Sequence, residues 1–183
     1  MLSVYLVQPY VFLNEPKHLR NFRLEEAQNL VKSLSYDLKG QQVVTLKAIS
    51  SALFFGKGKV EELRVCLQEN CVDCLIVNAH ITPLQQKNLE KQLQVKVLDR
   101  TSLILEIFAE RAQTREGVLQ VEHARLNYQK SRLVRTWTHL ERQKGGVGFL
   151  AGPGESQIEI DRRLIQQKIK KIEKELEKVK KTR

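Results

Sequence analysis

Long apolar runs are absent from this chain of 183 residues. No stretch of roughly 18 consecutive apolar residues occurs, which excludes a bilayer-spanning helix. The opening Met1-Leu2-Ser3-Val4-Tyr5-Leu6-Val7 lacks a basic n-region and soon meets Pro9, so it does not read as a secretion signal. Cysteine is scarce: three residues, an odd number, argue against a disulfide framework and fit a reducing cytoplasm. The chain has no GxxxxGK[ST] phosphate loop and no GxGxxG dinucleotide fingerprint. A 42% hydrophobic fraction nonetheless supplies a real core, so wholesale disorder is also excluded.

What the chain has in excess is positive charge. Lys and Arg number 31 against 21 Asp and Glu, a net of +10, which points to an anionic partner, nucleic acid before membrane. The excess is unevenly placed. Residues 1–112 hold 14 basic and 12 acidic groups, a net of +2, whereas residues 113–183 hold 17 and 9, a net of +8. Two parts with different partners are implied, 1–112 and 113–183.

The first part alternates strands and helices. Ser3–Val7 reads as a buried strand stopping at Gln8-Pro9, and Leu24, Ala27, Leu30, Val31 and Leu34 recur at helical spacing before Gly40. Val43–Leu46 is a second strand, followed by a helix with Val60, Leu63 and Leu67 on one face. Cys74–Val77 is a third strand. Thr82-Pro83-Leu84-Gln85 then starts a helix, with Thr as N-cap, Pro at the first turn and Gln completing a capping box. Val95–Leu98 and Leu103–Ala112 supply a fourth strand and helix. The order predicts a small α/β subdomain of parallel βαβ units.

Three features of this part carry candidate chemistry. Gly56-Lys57-Gly58-Lys59 opens a helix, where backbone N–H groups could cradle a phosphate; a plain loop-to-helix turn is the alternative. Cys71-x-x-Cys74 has redox or zinc spacing but no second ligand pair, so buried structural cysteines are expected and no metal site. His80 follows a strand end, where α/β ligand sites form, without a convergent partner in the sequence.

From Gly117 the period changes. Leu119, Leu126, Leu133 and Leu140 are spaced by seven, as are Ile158, Ile165, Ile172 and Val179, with Ile169 and Leu176 filling the second seam position. Between them residues 144–154 hold five of the nine glycines. Ser156-x-x-Glu159 reads as a capping box restarting the helix. The pattern predicts a long antiparallel α-helical hairpin, a coiled coil with arms 117–143 and 156–183 and a Gly-rich tip loop 144–155. Each arm would reach roughly 35–40 Å.

The hairpin's outer faces are basic. Lys130, Arg132, Arg135, Arg142, Lys144, Arg162 and Arg163 gather on its tip half, with Trp137, His139 and Phe149 near them in sequence. Arginine offers bidentate phosphate contacts, and aromatic rings offer stacking surfaces. Trp137 is equally suited to packing in the seam between Leu133 and Leu140. The lysines at 170, 171, 174, 178, 180 and 181 alternate with Glu173, Glu175 and Glu177 and read as a solvated face. At the tip, Gly145, Gly146, Gly148, Gly152 and Gly154 point to a contact element that must approach another surface closely.

These residues also carry a family resemblance. Arg132–Gly148 (RLVRTWTHLERQKGGVG) and Gly152–Arg163 (GPGESQIEIDRR) closely resemble the HflX family of ribosome-associated GTPases. Phe55–Leu63, Val97–Thr101 and Ile107–Gly117 match as well, with Ser156 standing where Thr is usual and Ala151 where Gly is frequent. The resemblance implies an N-terminal domain of two subdomains preceding a GTP-binding domain, which is expected after residue 183 and brings GTP and Mg2+ with it. It implies docking on rRNA of the large ribosomal subunit, the hairpin tip reaching toward the peptidyl-transferase centre, and a link to ribosome splitting under stress. The candidate rRNA contacts are then Arg132, Arg135, His139, Arg142, Lys144, Phe149, Arg162, Arg163 and the tip glycines.

Without a phosphate loop or a guanine-reading motif, the chain is expected to have no bound cofactor and not to hydrolyse GTP by itself. Two other readings stay open. One is an ATP- or GTP-binding α/β unit using Gly56–Lys59; the other is a protein–protein coiled-coil module. A monomer is expected.

Overall fold

The computed structural model describes residues 1–11, 19–143 and 153–182, with side chains described at all of these except 19–20, 134–143 and 153–158. The chain divides into two compact units, Met1–Ile107 and Phe108–Arg183.

In the first unit four strands, β1 (Ser3–Val11), β2 (Asp37–Leu46), β3 (Cys74–Val77) and β4 (Lys96–Asp99), form one parallel sheet in the order β2-β1-β3-β4. Between them run α1 (Leu19–Lys32), α2 (Lys57–Glu69) and α3 (Pro83–Leu93), and α4 (Arg100–Arg111) follows β4. Period-two alternation in the strands sorts the core into two layers. Tyr5, Val7, Leu75 and Val77 face one side, where Val60, Leu63 and Leu67 of α2 and Leu89 and Leu93 of α3 cover them. Val4, Leu6, Cys74 and Ile76 face the other, under Ala27 and Val31 of α1 and Leu103 and Ile107 of α4. Each fully buried Leu or Ile in these layers stabilises the unit by roughly 1.5–3 kcal/mol relative to exposure.

Two strands are longer than the sequence predicts. β1 continues through Pro9 to Val11, because β3 accompanies it only over Val4–Val7. The Val7 carbonyl accepts from Asn78 N at 2.9 Å, so the Pro9 nitrogen, two residues on, faces the same side past the end of β3, where no ladder partner is lost. β2 begins at Asp37, with Gly40 inside it rather than marking the end of a helix. A register shift between Val4 and Tyr5 brings Gly40 opposite Tyr5, and the ring of Tyr5 occupies the space a side chain there would need.

The capping box at α3 forms as read. Thr82 Oγ1 accepts from Gln85 N at 3.2 Å, and Gln85 Oε1 accepts from Thr82 N at 2.8 Å. Gln85 also donates to the Ser50 carbonyl at 2.8 Å, tying α3 to the loop before α2. Of the cysteine pair only Cys74 is buried. Cys71 is exposed, at the positive-φ turn (φ 48°) that leads from α2 toward β3. Its carbonyl accepts the Ser3 hydroxyl at 3.0 Å, so its backbone rather than its thiol serves the fold.

The second unit comprises α5 (Arg115–Gln143) and α6 (Pro153–Lys181). α6 starts at Pro153, three residues before the expected Ser156 cap, because proline's fixed φ and missing N–H suit a helix's first turn. Ser156 and Gly154 therefore lie within the helix, not in a tip loop. No described helix is long and apolar enough to cross a membrane.

Candidate nucleic-acid interface

The face that α5 leaves clear of its seam is defined by what the seam takes. Leu119 and Leu126 of α5 bury against Ile169 and Ile172 of α6, with Ile165, Leu176 and Val179 packed around them. Two polar pairs flank these contacts. His123 Nε2 lies 3.4 Å from Glu173 Oε1, and Lys130 Nζ donates to Gln166 Oε1. Seven residues forward on α5 correspond to seven residues back on α6, so the helices run in opposite directions along this stretch. Lys130 is thereby spent across the seam and does not belong to the outer basic face.

Away from the seam, Arg132 lies over Tyr128. Its guanidinium carbon is 4.6 Å from the ring centroid, and Nη2 donates to the Tyr128 hydroxyl. The ring holds the guanidinium plane in place. Because α5 is unbroken through Gln143, positions 128, 132, 135, 139 and 142 fall within one sector of about 80° at 3.6 residues per turn. The seam positions 119, 126, 133 and 140 fall on the opposite side, and 137 falls with them. Tyr128 is the member of this stripe that a reading confined to charged residues misses; its i, i+4 spacing to Arg132 is the signal.

On α6, Arg163 is exposed, with Nη2 3.7 Å from Glu159 one turn back. Arg162, also exposed, takes the heptad place that Ile169 and Leu176 hold further along, so it stands where an apolar seam residue would be rather than on the outer face. Lys144, Gly145, Gly146, Gly148, Phe149 and Gly152 lie outside the described residues, as do the side chains of Arg135, His139 and Arg142.

In the first unit, Gly56 is the N-cap of α2 (φ −69°, ψ 153°) without a side-chain cap bond, and added Cβ atoms at Gly56 and Gly58 would meet nothing within 4 Å. Lys57 is exposed, and Lys59 is paired with Glu62. The helix start is open, with one of its two lysines engaged. His80 Nδ1 lies 3.7 Å from Asp99 Oδ2 at the end of β4. Among the described residues no group of three or more His, Cys, Asp or Glu could hold a metal ion.

Two family models match the chain: GTP-binding GTPase N-terminal over residues 21–109, and GTP-binding GTPase Middle Region over residues 111–183. The GTPase HflX of Magnetococcus marinus is 53% identical over 172 residues, 92% of this chain and 40% of that protein. The GTPase HflX of Escherichia coli is 43% identical over 176 residues, 95% of this chain and 40% of that protein. The chain thus spans about two fifths of the length of these curated relatives. Among solved structures, SsGBP in complex with GDP superposes with a TM-score of 0.71 at 24% identity, covering 98% of this chain and 44% of that one. A GTP-binding protein from the hyperthermophilic archaeon Sulfolobus solfataricus, also with GDP, gives 0.67 at 24% identity, covering 98% and 46%. These two likenesses speak for the fold alone. With N-terminal and middle-region models meeting near residue 110, on a chain that folds as a parallel α/β unit and a two-helix unit, the protein belongs to the HflX family of GTPases.

Proposed function

We propose that this chain is the ribosome-binding part of an HflX-type GTPase. It docks in the cytoplasm, as a monomer, on rRNA of the large ribosomal subunit. The α5 stripe 128–142 meets phosphates, and the glycine-rich segment 144–152 reaches toward the peptidyl-transferase centre. An arm inserted there collides with elements that bridge the two subunits, which links docking to the splitting or rescue of ribosomes under stress.

The observation that supports this reading is segregation of charge. The first unit is nearly neutral, and Arg132, Arg135 and Arg142 of α5 hold helical positions on the side opposite the buried Leu119–Leu126 seam. Structural needs account for the seam; they do not account for a cationic stripe turned away from it. GTP and Mg2+ do not fit the residues present, since the chain has no GxxxxGK[ST] and the described residues offer no metal cluster. GTP binding is proposed for the remainder of the relatives' length, and no hydrolytic step is assigned to these residues.

Cosedimentation of the chain with purified large subunits tests the reading. Release of counterions predicts that log affinity falls linearly with log salt, with a slope of roughly −0.7 to −0.9 per phosphate contacted. Binding indifferent to salt would contradict it.

A further inference from the structure

At the carboxyl ends of β1 and β3 the winding of the sheet reverses. The chain passes from β1 to β2 on one side and to β3 and β4 on the other. Such a reversal opens a crevice where open α/β sheets take their ligands. Here it is a cavity of about 540 Å³, within the range that accommodates a small organic molecule.

Its polar lining is buried and linked. Gln8 and Asn78 are 3% and 7% exposed. Asn78 Nδ2 donates to Gln8 Oε1 at 2.6 Å, and Gln8 Nε2 donates to the Pro9 carbonyl at 2.8 Å. Arg100, the first residue of α4, donates Nη1 to Asn78 Oδ1 at 2.9 Å and Nη2 to Glu26 Oε1 at 2.7 Å. The hydrogen bond from Arg100, helped by the charges of Arg100 and Arg23, holds Glu26 below the usual carboxylate range.

The cavity is rich in donors. Each carboxamide nitrogen keeps a second N–H that has no partner among the described residues. Arg23 and Arg100 bring two positive charges to the lining, against one negative from Glu26. Buried donors left half-used are costly, and a ligand that accepts from them relieves that cost. The lining is also apolar in part, at Ile49 and Phe54. Ile49 is 51% exposed, a large apolar side chain left partly uncovered, whereas Phe54 is buried and held at φ 65° by two backbone hydrogen bonds to Ser50 (2.9 and 3.1 Å).

We propose that this cavity binds a small organic anion, a carboxylate or phosphate monoester carried on an apolar body. The oxyanion accepts from Arg100, Gln8 and Asn78, and the apolar body covers Ile49 and Phe54. This site is separate from the α5 stripe and stands whether or not that stripe binds RNA.

The test is titration of the 15N-labelled full chain with phenyl phosphate and with benzoate, following the side-chain amide signals of Gln8 and Asn78. Saturable shifts at millimolar probe are expected from at least one, and the tighter probe assigns the oxyanion. Arg100→Gln should weaken that binding roughly tenfold, the loss expected for one charge-assisted hydrogen bond. Ile49→Asp, at a half-exposed position that does not hold the core, should weaken it without disturbing the rest of the spectrum. Absence of saturable shifts from both probes overturns the proposal. So does unchanged affinity in both variants, or inorganic phosphate binding as tightly as phenyl phosphate.

Discussion

The Tyr5 ring lies against Gly40 so closely that a Cβ on residue 40 would come 2.6 Å from Cε2 and 3.1 Å from Cδ2. Tyr5 is itself buried in the sheet, so the ring has little freedom to withdraw. Gly40→Ala should therefore destabilise the first unit by roughly 1–3 kcal/mol, the usual cost of overpacking. In a Tyr5→Leu background the same change should cost less, because the ring is gone. Urea unfolding of the four proteins in the cycle measures the coupling; strictly additive effects would remove the steric explanation.

The seam of the second unit makes a separate prediction. Ile169 is buried against Leu119 and Leu126, and Ile169→Ala should cost about 2–4 kcal/mol through lost contacts and a residual cavity. The loss should appear as earlier melting of α5 and α6 in far-ultraviolet circular dichroism. Light scattering should report a monomer before and after the change. A wild-type dimer dissolved by the substitution would instead make the seam an intermolecular one.

Stability should fall on the alkaline side. Burial, then a hydrogen bond with Cys66, raises Tyr5 from 10.0 to about 12, and burial raises the Cys74 thiol from 9.0 to about 12. The unfolded chain ionises at the ordinary values, before the folded one. The contribution of both groups is thus intact below pH 9 and is lost as pH rises toward 12. The urea midpoint should decline over that window, and Cys74→Val should remove the part of the decline that begins lowest. A midpoint constant across the window would contradict the burial of both groups.

Much of the fold is legible from local rules, and its exceptions have physical causes. Thr82-Pro83-Gln85 announces α3 because cap, proline and box sit within four residues and need nothing distant. The first half of β2, Asp37–Gln42, has no such mark: it is polar, and its extended form is held by the ladder to β1. Pro9 looks like a stop until the strand order shows that its nitrogen faces past β3. The heptads reveal the seam, yet spacing within one helix does not say that Lys130 is taken by Gln166, 36 residues away in sequence. The cluster at the sheet's reversal is hidden most completely, since Gln8 and Asn78 are 70 residues apart. The available clue is that Asn78 directly follows β3 and Arg100 directly follows β4.

The proposed recognition of rRNA rests on a particular face of α5, not on bulk charge. Affinity for purified large subunits at physiological salt decides it, compared between two variants of equal charge loss. One replaces Arg132, Arg135 and Arg142 with Gln, and the other replaces Lys170, Lys174 and Lys178 with Gln. A loss on the order of 100-fold is expected for the arginine variant and less than about threefold for the lysine variant. Equal losses in the two variants, or no loss in the first, would contradict it.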